Sequence, residues 1–441
     1  MITGLKNFFY FPIAKYFLFF AGIRLKRWKP TVIVVTGSNG KTTLLHLLES
    51  QLRAQARYSH RANGMYGIAF HLLDLKREKL LKKEWISLFL LTPIRAFRKP
   101  PQEKYYVVEV DCDRPEEGKV VAKFLKPDFV LWLSISRTHT VNFDKLILEK
   151  KFENIEEAVA YEFGYLLEYC KRQVIVNGDN PFILKELKRT MANVIRIERR
   201  AWFEDYNIYD GQAVFVLKGE KYKFPYLLPE ETFYAIAMCK ELLNCLRLYI
   251  DTKFTDFVLP PGRSSLLQGI RGTTFIDSTY NATPASVAVI LSMFQKYKAK
   301  KKWIVLSDMV ELGDEEQEEH ERLVEQLSEV DAERVLLMGP RMIKYTYAGL
   351  NQKSKIKNQK YKSKVKSGNY EIKGMIIEKF LTPKEVLDYL EGNLQGGETI
   401  LFKGARFLEG VIEHLLRDKE DIAKLPRREE AWGRRRKAFG L

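Results

Sequence analysis

Along most of the chain, short apolar runs rich in β-branched residues alternate with stretches of helical periodicity. TVIVVTG (31–37) reads as a buried strand and leads into a helix from about Lys41 to Leu52. YYVVEV (105–110), DFVLWLSI (128–135) and QVIVN (173–177) are further apolar runs, separated by helical patterns such as 152–170. Strands that are continuously apolar are expected where both faces of a sheet are covered, so a parallel sheet flanked by helices is predicted. Residues 206–224 break the rhythm and predict a small antiparallel excursion turning at Asp210-Gly211 and Lys218-Gly219. After Pro260-Pro261-Gly262 the alternation restarts with TTFID (273–277), a helix from Pro284, WIVLS (303–307), an acidic helix near 315–329 and VLLMG (335–339). ETILFKG (398–404) supplies a last strand, followed by a helix to about Leu416. The fold class is α/β. A central domain with a parallel sheet spans 31–260, and a second, Rossmann-like α/β domain spans 261–418.

Three segments fall outside this scheme. Residues 8–23 are aromatic and apolar, but Pro12 and Lys15 interrupt them, and the uncharged run after Lys15 is only eight residues. That is too short to span a bilayer, and no small-residue cleavage site follows. Residues 1–30 therefore read either as an interfacial helix making peripheral membrane contact or as a helix packed on the first domain. Residues 351–370 are lysine-rich and of low complexity, and read as a disordered loop. Residues 419–441 form a basic tail, expected to be mobile beyond Leu425.

Charge follows the same division. Of the net +17, residues 1–30 supply six Lys/Arg without an acid, 351–370 seven, and 417–441 a net four, leaving the remainder neutral. Basicity confined to two ends and an insert binds anions loosely and offers no surface for reading nucleic-acid sequence. Four widely spaced cysteines without a CxxC pair argue against a zinc site and fit a reducing cytosol, so a cytoplasmic protein is expected; it is taken to be a monomer.

The strongest chemical signal is Val34-Val35-Thr36-Gly37-Ser38-Asn39-Gly40-Lys41-Thr42-Thr43. An apolar strand runs into a glycine loop, and a helix opens at the lysine. Backbone N–H groups at such a helix start face an anion, Lys41 can reach the β- and γ-phosphates of a nucleotide, and Thr42 can ligate Mg²⁺. Only two residues separate the glycines, against four in the common P-loop. Glu109, ending an apolar strand, is a hard oxygen ligand suited to the same ion.

TGSNGKTT resembles the shortened ATP loop of the Mur ligases, and the likeness continues in order along residues 31–416. Val108-Glu109-Val110-Asp111-Cys112-Asp113-Arg114-Pro115 is similar to the family's strand-end glutamate and Asn-Arg-Pro turn. Ser134-Ile135-Ser136-Arg137-Thr138-His139 stands where the family has a strand ending in His, and VNGDNP (176–181) resembles its Asn-x-Asp-Asp-Pro turn. Pro261-Gly262-Arg263, Asp277-Ser278-Thr279-Tyr280-Asn281-Ala282-Thr283-Pro284, Ser307-Asp308-Met309-Val310-Glu311-Leu312-Gly313 and Phe402-Lys403-Gly404-Ala405-Arg406 follow. The SxYNAxP and DMxELG motifs are most like the branch that adds D-Ala-D-Ala to the UDP-MurNAc-tripeptide.

The resemblance implies an ATP- and Mg²⁺-dependent ligase in peptidoglycan precursor synthesis that activates a carboxylate as an acyl phosphate and joins it to an amine such as D-Ala-D-Ala. On the family pattern Gly37, Ser38, Asn39, Gly40, Lys41, Thr42 and Thr43 hold the triphosphate, while Thr42, Glu109 and His139 attend the metal. Lys41, Glu109 and His139 would carry the catalysis. Arg263 and Asp277 hold the nucleotide, and Asn281, Asp308, Glu311 and Arg406 line the amine pocket. The pattern also has departures. Phe163 stands where this branch carries a carbamylated lysine, and the adenine-side His-Asn motif is absent from 227–239. About 30 residues precede the first strand, too few for the family's UDP-gripping domain, so a substrate without UDP is one expectation. A lipid-linked muropeptide, a polyglutamyl-type carboxylate and an inactive binding homologue remain alternatives, as does, from another class, a P-loop NTPase switch or motor. Neighbouring Glu162 is expected either to turn into the site in place of the missing lysine or to face solvent.

Overall fold

A computed structural model describes residues 2–60, 62–76, 84–137, 142–143, 146–147, 149, 151–358, 370–372, 374–404 and 407–441. His139 and Arg406 lie outside the described residues, as does 359–369 of the lysine-rich segment. The chain forms two compact units, one of residues 1–204 with 232–258 and one of 205–231 with 259–441. The division expected near 260 differs in one respect: the antiparallel excursion groups with the second unit.

In the first unit the apolar runs become β1 (Thr31–Thr36), β2 (Ala56–Tyr58), β3 (Tyr105–Val110), β4 (Phe129–Trp132), β5 (Gln173–Asn177) and β6 (Asn193–Ile197). They pair in parallel in the order β2-β3-β1-β4-β5-β6. Ile33, Val34 and Val35 have no exposure at all, because helices cover both faces of the sheet. β1 lies between β3 and β4, and the chain leaves it in one direction for β2 and β3 and in the other for β4. The carboxyl end of β1 is thus a topological switch point, where open α/β sheets hold their ligands.

The N-terminal segment forms a helix, α1 (Ile2–Trp28), packed on the domain. Its Ala14, Phe17, Leu18 and Ala21 are buried with Phe17 against Phe70 and Phe89, so one face of α1 belongs to the core. Its neighbours are α3 (Met65–Leu73) and α4 (Glu84–Ala96), while α2 (Lys41–Leu52) follows β1. Among the described residues no helix is long and apolar enough to cross a membrane.

Where α3 meets β3, the His71 ring stacks on Tyr106 at 5.7 Å and 9°. Burial, reinforced by the Arg57 charge, pushes the His71 pKa down to about 4. The unfolded chain, with a histidine pKa near 6.5, binds more protons over this interval. The stabilisation is therefore complete above pH ~6.5 and lost as pH falls toward 4, by about 3 kcal/mol. Glu117 and Glu162, both pushed up to about 7 chiefly by burial, act with the opposite sign over pH 7 to 4.5. The His71 share is isolated by comparison: the change in melting temperature from pH 7 to pH 4.5 should be more favourable in His71→Leu than in wild type. Parallel curves would contradict it.

In the second unit β7 (Phe203–Tyr209), β8 (Gln212–Leu217) and β9 (Glu220–Phe224) form the antiparallel sheet. Its turns fall at Asp210-Gly211 and Lys218-Gly219, all four residues with positive φ as type I′ hairpins require. The main sheet contains β10 (Ser265–Gln268), β11 (Thr274–Ser278), β12 (Lys301–Ser307), β13 (Arg334–Met338), β14 (Tyr370–Ile372), β15 (Met375–Phe380) and β16 (Glu398–Lys403). The order is β10-β11-β16-β12-β13-β15-β14, parallel except for its two edge strands.

Two expectations about unstructured segments are corrected. The lysine-rich segment begins inside a helix, Ala348–Asn358, because lysine and glutamine are good helix formers even without an apolar face. The basic tail is docked: Glu430–Ala438 is helical, Arg428 pairs with Glu413 at 2.6 Å, and Arg436 donates to the Arg427 carbonyl at 2.8 Å.

Candidate active site

At the carboxyl end of β1 the chain makes the tight turn that its glycines permit. Gly37 has φ 131°, and a Cβ there would lie 2.8 Å from the Ser134 nitrogen. Gly40 has φ 85° and, lacking a side chain, leaves the start of α2 without a side-chain cap, so the positive helix end faces whatever the loop encloses. The residues after β4 clamp the loop. Ser38 Oγ donates to the Ser136 carbonyl and accepts from the Ser136 nitrogen, at 3.0 and 2.9 Å. Ser134 Oγ accepts from the Asn39 nitrogen at 2.9 Å and donates to its carbonyl at 3.0 Å. This clamp is itself tied to VNGDNP, because Asn177 and Asn180 donate to the carbonyls of Leu133 and Ile135 at 3.0 and 3.4 Å.

Two couples face each other across α2 and β3. The Lys41 ammonium lies 2.9 Å from Asp111 and also donates to the Gly37 carbonyl. Burial opposes its charge, but the Asp111 and Glu109 carboxylates outweigh that and hold its pKa above the usual lysine value. Thr42 Oγ1 donates to Glu109 Oε2 at 3.1 Å. Adjacent ligands on an octahedral Mg²⁺ with bonds of about 2.1 Å stand about 3 Å apart, so this hydroxyl–carboxylate pair fits that ion. The Ser59 hydroxyl accepts from the Glu109 nitrogen at 2.9 Å and fixes the strand end. The structure thus brings together Gly37, Ser38, Asn39, Gly40, Lys41, Thr42, Thr43 and Glu109.

Glu162 does neither of the things expected of it. It is buried on α6 (Ile155–Glu168), and its oxygens accept the backbone N–H groups of Glu116 and Gly118 at 2.9 and 3.1 Å. Those amides open α5 (Glu117–Leu125), so Glu162 caps a helix start from a neighbouring helix. Phe163 is core, tilted against Trp132 at 6.0 Å.

In the second unit Asp277, next to last in β11, is fully buried. Its Oδ1 accepts from the Thr279 nitrogen and hydroxyl at 3.0 and 2.6 Å, while Oδ2 is buried with no hydrogen-bond partner. Burial raises its pKa. Lys403 donates to the Asn281 carbonyl at 2.6 Å, and burial, then the Arg263 charge, brings its pKa down to about 7. The Arg263 guanidinium sits 4.6 Å over the Tyr280 ring. Arg427 from the tail donates to the Thr279 carbonyl at 3.1 Å and to that of Tyr280. Asp277, Arg263 and Asn281 therefore share one loop cluster with Lys403 and Arg427.

Asp308 and Glu311 belong to another loop. Asp308 is fully buried and accepts the N–H groups of Arg341 and Met342 at 3.1 and 2.9 Å. Glu311, at φ 66°, is exposed. The loop rests on His320, whose Nε2 accepts the Met309 N–H at 3.3 Å while Nδ1 meets the Glu316 carbonyl at 2.6 Å. Burial lowers the His320 pKa, keeping the ring neutral as that pairing requires. Within the acidic run 314–321, Glu319 and His320 are buried.

Sequence comparison agrees with this geometry. The model of the Mur ligase middle domain matches residues 35–231, and that of the Mur ligase glutamate ligase domain matches 262–406. The UDP-N-acetylmuramoyl-tripeptide–D-alanyl-D-alanine ligase of Borreliella burgdorferi is 24% identical over 325 residues, covering 70% of this chain and 62% of that protein. The protein of the same name from Bacillus subtilis is 23% identical over 409 residues, covering 88% and 75%. MurF from Acinetobacter baumannii superposes with a TM-score of 0.68 at 19% identity, covering 90% of this chain and 79% of that one. MurF ligase from Thermotoga maritima in complex with ADP gives 0.67 at 20% identity, covering 96% and 84%. These structures share the fold. The chain belongs to the Mur ligase family, of which it carries the middle and the C-terminal domains.

Proposed function

We propose that this chain is an ATP-dependent amide-forming ligase of peptidoglycan precursor synthesis, joining a muropeptide carboxylate to D-Ala-D-Ala. The observation that carries the reading is the pair of couples beside the glycine loop, Lys41 with Asp111 and Thr42 with Glu109, in a chain with both Mur domains. A carboxylate oxygen is a poor leaving group. Phosphorylation turns it into one, and the amine then displaces phosphate. In this reading the loop amides orient the triphosphate, and Lys41 neutralises charge on the phosphoryl group in flight. Thr42 and Glu109 hold Mg²⁺, with His139 as a neighbour, and the ion when bound offsets phosphate charge. Arg263 and Asp277 are assigned to the nucleotide, Asn281, Glu311 and Arg406 to the amine. Asp308, with its carboxylate taken by backbone amides, is assigned to holding that loop in shape.

The relatives named for the D-Ala-D-Ala reaction support the amine, and the match to 62% of one of them leaves the carboxylate to experiment. ADP release should require both partners. It is measured with D-Ala-D-Ala and, in turn, a UDP-linked tripeptide and a lipid-linked muropeptide. Release that is unaffected by any amine would sink the ligase reading and favour an NTPase.

A further inference from the structure

The outer face of the first unit carries an apolar surface that its own fold leaves uncovered. Ile86, Leu90 and Ile94 of α4 and Phe97 just beyond it recur at helical spacing, and with Phe19 of α1 they are 60–68% exposed. Phe9 and Leu91 add to the same two helices at 48 and 39%. The helices run side by side in the same direction. Tyr16 donates to the Phe89 carbonyl at 3.0 Å, and Arg27 reaches the carbonyls of Ala96 and Arg98 at 3.2 and 3.0 Å. Phe19 falls between those anchor points, level with the exposed stripe of α4. Folded monomers rarely leave so many large apolar side chains together in water, and such faces mark contact sites.

The charges around the face decide between occupants. Residues 1–30 and 85–102 contain no acid, and on these segments Lys15, Lys26, Arg27, Arg98 and Lys99 are exposed, while α4 opens with Glu84. The sequence just before α4, residues 76–83, has five Lys/Arg against one Glu. A cavity of about 670 Å³ beyond the end of α4 is lined by Lys99, Lys104, Arg24 and Arg57, with Glu103 as its acid. Arg24 and Arg57 pair with Asp74, which leaves Lys99 and Lys104 as the cavity's outward cations. A second copy of this chain would set cations against cations across a two-fold axis. An anionic lipid surface takes the apolar stripe into its headgroup boundary and pairs with the basic rim. At thirteen residues α4 is too short to span a bilayer, so it would lie in the interface plane.

We propose that α1 and α4 form a docking face for an anionic membrane, with Phe19, Ile86, Leu90, Ile94 and Phe97 inserting and the surrounding lysines and arginines meeting acidic headgroups. The proposal stands whichever substrate the ligase reading acquires. It is tested by co-sedimenting the full chain with phosphatidylcholine vesicles and with vesicles containing about 30% phosphatidylglycerol. The chain should pellet with the anionic vesicles, less with neutral ones, and be partly released by about 0.5 M salt. Leu90→Asp/Ile94→Asp should weaken partitioning at least about tenfold, and Phe19→Asp on the other helix should weaken it independently. All three positions are exposed, so the variants should keep wild-type circular dichroism. Equal binding to neutral and anionic vesicles, or variants that bind like wild type, would overturn the proposal. So would a dimer that dissociates in Leu90→Asp/Ile94→Asp without any vesicle binding, which would assign the face to a second copy.

Discussion

Lys41→Ala should lower ATP turnover by a factor of at least about 10²–10³ while the chain still folds. The ammonium is buried against Asp111 and Glu109 at the mouth of the glycine loop, so no other described cation replaces it there. Removing it has a structural cost as well. Asp111 loses its ion pair in a buried setting, which is worth about 3 kcal/mol, against a typical total of about 5–15 kcal/mol. Circular dichroism and melting separate the two effects: a lowered but cooperative melt, with turnover down by at least that factor, is the expected outcome. Lys41→Arg should not restore turnover, since the planar guanidinium cannot occupy a pocket shaped for a compact ammonium beside the Gly37 carbonyl. Turnover near wild type in Lys41→Ala would mean that the loop does not serve phosphate chemistry.

Gly118→Ala should destabilise the first unit more than any surface change. A Cβ at this position would lie 2.1 Å from the Glu162 carbonyl oxygen and 2.9 Å from its carbon, both backbone atoms that cannot swing aside. α5 and α6 would have to separate, and the Glu162 carboxylate would lose its hold on the Glu116 and Gly118 amides. Overpacking of this kind costs about 3 kcal/mol, which for a unit of this size lowers the melting temperature by about 6–12 °C. Thermal melts of the two proteins decide it. A shift within about 1 °C would show that the two helices are not packed as closely as described.

The elements easiest to foresee were those written in consecutive residues. The β1 strand, the glycine turn and α2 occupy one unbroken stretch, so their whole signal is local. Glu109 was readable because it sits at the end of an apolar strand, and the two hairpin turns because Asp-Gly and Lys-Gly demand left-handed backbone; Asp111, the partner of Lys41 just beyond β3, was not. What escaped depends on partners distant in sequence. Glu162 caps amides 44 and 46 positions earlier, so its neighbours in sequence suggested only a choice between site and solvent. The role of His320 escaped too, because it lies among acidic residues. A signal existed, since His320, Leu323, Val324 and Leu327 form one buried face at helical spacing. Arg427 reaches back 148 positions to hold the loop after Asp277, and nothing local to a basic tail announces that. The stripe on α4 has apolar periodicity, but periodicity cannot say which side of a helix the fold will cover.

The central claim is that this chain makes an acyl phosphate beside Lys41, and isotope transfer tests it most directly. The muropeptide carboxylate is labelled with oxygen-18, and the phosphate released during ligation to D-Ala-D-Ala is analysed by mass spectrometry. If the carboxylate attacks the γ-phosphate and the amine then displaces phosphate, each phosphate released by ligation carries one labelled oxygen from the substrate. Phosphate free of label, formed at the rate of ligation, would contradict the account.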